Sequence, residues 1–207
     1  MSGVNSSRTL GVLLASSASL VLVLSGCSSD NDTPSAATSS SAASSSAGSS
    51  STAAAESCPT AAPESGAAAE WDLDGDTGSI AVTGSTDDAA PLVTVEAPFS
   101  VAETQVQTLQ AGDGPVVAAD ATVSVCYMGV NGRDGSTFDS SYERGAPVEF
   151  PLDGVVAGFQ KAIAGQTVGS TIGVAVTSAD GYPNGQPRAG IQQGDSLIFA
   201  IKVLGVS

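Results

Sequence analysis

Few side chains in this sequence can do covalent chemistry. No histidine occurs among the 207 residues, which removes a Ser-His-Asp triad, a His-ligated zinc and a histidine general base. Three cysteines remain, Cys27, Cys58 and Cys126, with a run of aspartates in Trp71-Asp72-Leu73-Asp74-Gly75-Asp76. Alternating aspartates can chelate calcium, but an EF-hand loop starting at Asp72 wants Gly at position 77 and Glu at position 83. The sequence has Thr77 and Thr83, so an acidic turn at a domain entrance is expected there, with no metal and no cofactor. The other residues of interest are aromatic: Tyr127, Phe138, Phe159, Tyr182 and Phe199, with Asp139 beside Phe138. Singly, the phenylalanines read as core, the tyrosines as half-buried surface and Asp139 as a turn residue.

Cysteine placement gives the chain an address. The first 26 residues carry one charge, Arg8, and then an apolar run from Leu10 to Leu24 broken by serines. That pattern is a secretory leader, too short for a comfortable span. It ends in Leu24-Ser25-Gly26-Cys27, which resembles the bacterial lipobox. The resemblance implies cleavage before Cys27, acylation of its thiol, and a position on the outer face of the cell membrane. Cys58 and Cys126 are then left together in an oxidising compartment. A disulfide between them is expected; two separate thiols, with Cys126 a small buried strand residue, are the alternative.

Cleavage leaves 21 acidic and five basic residues. An acidity of that size argues against nucleic acid as a partner and says nothing about the fold. Residues 28 to about 70 are mostly Ser, Ala, Thr and Pro, with no large apolar residue, so residues 27–70 are expected to form a disordered tether. Its mean reach is roughly 35–40 Å. From Ser79 onward, short β-branched or alternating runs separated by Gly, Pro and Asp mark strands: Ile80–Val82, Leu92–Val95, Thr104–Leu109, Ala121–Met128, Val148–Leu152, Ser170–Val176 and Ser196–Leu204. One segment has helical spacing, with Val155, Val156, Phe159 and Ile163 on one face. Strands around a single short helix predict an α+β domain.

The order of motifs is more specific than any one of them. Gly112-Asp113-Gly114-Pro115, Val123-Ser124-Val125-Cys126-Tyr127-Met128-Gly129, Gly135-Ser136-Thr137-Phe138-Asp139-Ser140-Ser141, Pro147-Val148-Glu149-Phe150 and Val155-Val156-Ala157-Gly158-Phe159 follow one another. Gly165-Gln166-Thr167-Val168-Gly169-Ser170, Asp180-Gly181-Tyr182 and Asp195-Ser196-Leu197-Ile198-Phe199 complete the series. This succession, over roughly Leu109 to Val206, resembles the FKBP family in its bacterial lipoprotein form. The resemblance implies an antiparallel five- or six-stranded sheet wrapped around one short helix at 109–207, with residues 71–108 an N-terminal extension adding strands to the domain edge.

It also implies peptidyl-prolyl cis-trans isomerase activity. Carried over residue by residue, Tyr127, Phe138, Asp139, Val156, Phe159, Tyr182 and Phe199 would do the work, and Val148, Val155 and Ile191 would contact substrate. Arg144, five residues after Asp139, would pair with that carboxylate. Phe159 stands where well-known members have Trp, Val148 where many have an aromatic, and Gln192-Gln193 where Pro-Pro is frequent. The expected partners are proline-containing peptides or unfolded exported proteins, bound by a monomer. A binding module of the same fold with little turnover is the main alternative. An immunoglobulin-like adhesin is a third, against which the helix in mid-domain argues.

Overall fold

The computed structural model of the chain describes residues 57–64 and 66–207. The leader 1–26, Cys27 and the linker through residue 56 lie outside the described residues. Nine strands run in order among those described: β1 (Trp71–Asp74), β2 (Thr77–Thr83), β3 (Leu92–Ser100), β4 (Gln105–Gln110), β5 (Thr122–Asn131), β6 (Thr137–Ser140), β7 (Val148–Pro151), β8 (Thr171–Val176) and β9 (Leu197–Val206). Helix α1 (Ser141–Arg144) follows β6, and α2 (Ala157–Ile163) follows a 3-10 turn at Leu152–Gly154. No helix among the described residues is long and apolar enough to cross a membrane.

Six strands form one antiparallel sheet, ordered β4-β8-β9-β5-β6, with β7 paired to the first half of β5 and β6 to the second. This matches the expected sheet around a short helix. Period-two alternation sends Val123 and Val125 of β5, Ile172, Val174 and Val176 of β8, and Leu197, Phe199, Ile201 and Val203 of β9 to the face that α2 covers. From α2 come Phe159, Ala162 and Ile163, all buried. Val130, Ala175, Ile198 and Ala200 point the other way, into a second cluster with Ile80, Val82 and Phe99.

That second cluster corrects an expectation. The extension does not only lengthen the sheet edge. Strands β1, β2 and β3 form a separate antiparallel sheet that packs through Trp71, Leu73, Val93 and Val95 on the face opposite α2. Only β4 extends the main sheet, beside β8, and it spans the boundary drawn at residue 108. Where the layers meet, Gly173 lies under Trp71, and a Cβ there would stand 2.6 Å from the indole. The segment expected to be an acidic turn is in fact β1: Trp71 and Leu73 face the interior while Asp72 and Asp74 face solvent.

Two further differences concern order and phase. Residues 57–64 and 66–70 belong to the folded body, not to a tether. Cys58 is bonded to Cys126 and 3% exposed, in a cluster with Ala90 and Tyr142. The Ala90 N–H donates to the Ala61 carbonyl at 2.8 Å, and the Glu70 N–H to the Val82 carbonyl at 2.9 Å. Val155 and Val156, expected on the helix, are extended residues preceding it, with φ, ψ of −106°, 173° and −60°, 147°.

Phe99, 2% exposed, ties the added sheet to the main one, and its N–H donates to the Gly132 carbonyl at 2.7 Å. Phe99→Ala should cost about 3–5 kcal/mol in urea unfolding. A loss below about 1 kcal/mol would show that the outer sheet is not part of the cooperative unit.

Candidate active site: an aromatic cleft beside a tethered carboxylate

Strand alternation and one short helix build a cleft of about 290 Å³ on the α2 side of the sheet. Its floor is Phe159, 6% exposed, which three rings meet edge to face: Phe199 at 4.7 Å between centroids, Tyr127 at 5.7 Å and Phe150 at 5.9 Å. Phe138 stands edge-on to Phe199 at 5.6 Å. Edge-to-face contact sets the positive rim of one ring on the negative face of another, so the rings around Phe159 hold it in a fixed orientation. Val148, Val155, Val156, Tyr182 and Gly154 complete the wall.

One wall is charged. The Tyr127 hydroxyl donates to Asp139, and Arg144 pairs with the other carboxylate oxygen at 2.5 Å while its guanidinium lies 5.9 Å from the Tyr127 ring centre. Helix α1 arranges this. The Ser140 hydroxyl accepts from the Glu143 N–H at its start, and Gly145, at φ 67°, closes its end, so four residues bring Arg144 back over Asp139. The Ser141 hydroxyl accepts from the Tyr127 N–H at 2.8 Å and fixes the helix to β5.

These contacts set the protonation states. Burial alone would raise the Asp139 carboxyl, but hydrogen bonds from Tyr127 and Arg144, together with the Arg144 charge, outweigh it and hold it below the usual carboxylate range. Burial, and then the hydrogen bond to Asp139, push the Tyr127 hydroxyl up to about 12. The wall is therefore a fixed carboxylate and a neutral phenol, neither poised to move protons near neutrality.

Two residues lining the cleft carry donors with no internal acceptor among the described residues, the Tyr182 hydroxyl and the Val156 N–H. The Gln160 side chain donates to the Val155 carbonyl at 3.1 Å and fixes the approach to α2. An apolar floor, an oriented carboxylate and two free donors suit a reaction in which no covalent bond breaks.

Nine of the residues singled out from sequence line this cleft: Tyr127, Phe138, Asp139, Val148, Val155, Val156, Phe159, Tyr182 and Phe199. Arg144 stands at its rim, behind Asp139. Ile191 is not among the residues that line it; as part of the connection from β8 to β9 it is 2% exposed and packs into the core. Phe150 was missed as a site residue, although its spacing of two from Val148 on β7 places both on one face. Gly154 was missed as well, and no side-chain signal could have marked it. The Cys58–Cys126 disulfide lies on the far side of the Tyr127 backbone, with the Cys58 sulfur 3.5 Å from the Ser141 hydroxyl.

Arg144→Ala should move the titration of Asp139 to higher pH, read from the pH dependence of its carboxyl carbon shift in NMR. An unmoved titration would show that Tyr127 alone sets the ionisation.

Comparison with known proteins agrees with this geometry. Residues 114–204 match the family described as FKBP-type peptidyl-prolyl cis-trans isomerase. The chain is 33% identical over 108 residues to an FK506-binding protein of Streptomyces anulatus, covering 51% of this chain and 87% of that one. It is 34% identical over 94 residues to a probable FK506-binding protein of Corynebacterium glutamicum, covering 45% and 78%. Against the FKBP-type 22 kDa peptidyl-prolyl cis-trans isomerase of Escherichia coli it is 32% identical over 102 residues, covering 49% of each. With the motif order, the sheet-and-helix architecture and most of a relative's length matched, the chain belongs to the FKBP-type peptidyl-prolyl cis-trans isomerases, enzymes that rotate X-Pro peptide bonds.

Proposed function

We propose that this isomerase works outside the cytoplasm, as a monomer held by a lipid on Cys27 to the outer face of the cell membrane. There it catalyses the folding of exported chains, with the aromatic cleft as its site. The carrying observation is the cleft itself, a floor at Phe159 met by three rings beside a carboxylate held charged and in place.

Rotation about X-Pro faces a barrier of about 18–20 kcal/mol from lost amide resonance. The planar amide carries more charge separation than the twisted one, so a dry pocket favours the twisted state. Phe159 would seat the proline ring, with Tyr127, Phe150 and Phe199 stopping it from tilting. Val156 would give its N–H, and Tyr182 its hydroxyl, to substrate carbonyls. Asp139, kept in place by Tyr127 and Arg144, would face the carbonyl carbon of the rotating bond. No general acid or base takes part, which accords with a chain that lacks histidine.

The address is supported by the leader pattern ahead of Cys27 and by the Cys58–Cys126 disulfide, since such bonds persist in oxidising compartments. Unfolded chains emerging there expose X-Pro bonds in both isomers, whose uncatalysed exchange takes tens of seconds or longer. Growing the cells with a radiolabelled fatty acid and comparing the intact chain with Cys27→Ser tests the anchor: label should follow Cys27 and be absent from the variant.

Asp139→Ala and Tyr182→Phe should each lower kcat/KM for an X-Pro peptide about ten-fold, the rate equivalent of one lost contact of roughly 1.4 kcal/mol. Two unaffected variants would move the site elsewhere. The pH dependence has a definite form. A lowered Asp139 keeps its charge as pH falls through the ordinary carboxylate value of about 3.9 and loses it only below. Tyr127 stays protonated up to about 12. Between pH 5 and 9, a range set by the distance of both groups from neutrality, kcat/KM should be flat, whereas a bell centred near 7 would contradict the assignment.

A further inference from the structure

Twenty residues join β8 to β9, from Thr177 to Ser196, and this loop carries Tyr182 into the cleft. Its first root is fixed by Asp180. That carboxylate accepts from Lys161 Nζ of α2 at 2.6 Å and from the Thr104 hydroxyl at 2.5 Å, and its carbonyl from the Gly158 N–H at 2.9 Å. The second root is fixed by Asp195, 8% exposed. Its carboxylate accepts from the Asn131 side-chain amide at 2.8 Å and from the Gln192 N–H at 2.8 Å.

Arg133, in the turn between β5 and β6, adds a brace across this second root. Its Nε stands 3.3 Å from the Asp195 carboxylate, its Nη2 donates to the Gly190 carbonyl at 3.1 Å, and its Nη1 pairs with Asp134 at 2.8 Å. The Arg133 N–H also donates to the Asn131 side-chain carbonyl at 2.9 Å, locking the turn that presents it. Three acceptors in three directions suit a planar guanidinium. An ammonium on a flexible stem cannot span them together.

Short backbone links lead from the brace to the cleft. Gly190 and Asp195 bracket Ile191, which exchanges two backbone hydrogen bonds with Gln186 at 2.8 and 3.1 Å. Beside Gln186, the Gly185 N–H donates to the Tyr182 carbonyl at 2.9 Å. A second link runs from the Gly194 N–H to the Ser178 hydroxyl at 3.1 Å, and that hydroxyl donates to the same Tyr182 carbonyl at 3.4 Å. Both links end on Tyr182.

We infer that Arg133 is a positioning residue for substrate binding: by bracing Gly190 and Asp195 it holds the β8–β9 loop in the arrangement that presents the Tyr182 hydroxyl to the cleft. The inference rests on the reading of Tyr182 as a substrate contact. It adds a residue that touches no substrate and that the sequence motifs do not single out. Loosening the brace lets the loop sample arrangements in which the hydroxyl is misplaced. Apparent affinity then falls by the fraction of molecules still competent, while bound substrate reacts as before. The signature is a rise in KM with kcat little changed.

The test is a double-mutant cycle in the full chain, with Arg133→Ala, Tyr182→Phe and the double variant assayed on one X-Pro peptide. Arg133→Ala should raise KM roughly three- to ten-fold, corresponding to a competent fraction of about 0.1–0.3, and speed amide exchange at residues 183–190. Tyr182→Phe should cost much less in the Arg133→Ala background than alone, and Arg133→Lys should recover only part of the KM. If Arg133→Ala fails to fold, Asp195→Asn removes the carboxylate charge but leaves an amide in its place, and should reproduce the KM rise. An unchanged KM, or losses that multiply in the double variant, would overturn the inference. An inert Tyr182→Phe beside a raised KM for Arg133→Ala would instead remove Tyr182 from the substrate contacts and leave the brace acting through another part of the loop.

Discussion

Burial of the main sheet on both faces is the constraint from which the rest follows. Strand β9 is buried at each position from Leu197 to Ile201 because α2 covers one of its faces and the added three-stranded sheet covers the other. A strand held in this way cannot slip by one residue without moving Phe199 out of the cleft floor and Ile198 into its place. The cleft thus inherits its precision from packing on the side of the sheet that faces away from it. Gly173, flat beneath Trp71, is the local mark of how closely the second layer approaches.

On that rigid base the chemistry needs little. Isomerisation asks for a dry seat for a ring, a few oriented dipoles and no proton transfer. The residues present agree with that economy. The rings around Phe159 pack edge to face on one another, and Asp139 is held in its charged form by partners on two separate elements, β5 and α1. The long β8–β9 connection that brings Tyr182 to the cleft has both roots fixed by carboxylates, Asp180 and Asp195.

What the sequence revealed, and what it hid, has physical causes. The order of motifs was enough to name the fold and to gather nine cleft residues, because pocket side chains sit at fixed offsets from turns and strand ends that the sequence displays. The added sheet was harder to place. Its strands were recognised at Ile80–Val82 and Leu92–Val95, but edge and face look alike in a strand read alone. The clue lay elsewhere, in the unbroken apolar run Leu197 to Ile201, which a sheet with one wet face would have interrupted. Strand β1 was hidden by its aspartates, which occupy the solvent side of an alternating pattern with Trp71 and Leu73 inside. Val155 and Val156 fit a helical face by spacing alone, yet the chain is still extended there because the 3-10 turn before them and the start of α2 leave a short connector. Ile191, carried over by position, is turned into the core by the loop around it, which a position in the sequence does not display.

The Cys58–Cys126 bond has a mechanical consequence. Anything that pulls on the chain from its N-terminal side acts first on Cys58, and through the sulfur bridge on Cys126, in the middle of β5. Tension then bypasses residues 59–125, so the added sheet hangs within a closed covalent loop and is not peeled away strand by strand. The force enters a strand that is hydrogen-bonded along both edges, to β9 on one side and to β6 and β7 on the other, where many bonds must yield together. The domain is in this way gripped at β5, one residue from Tyr127.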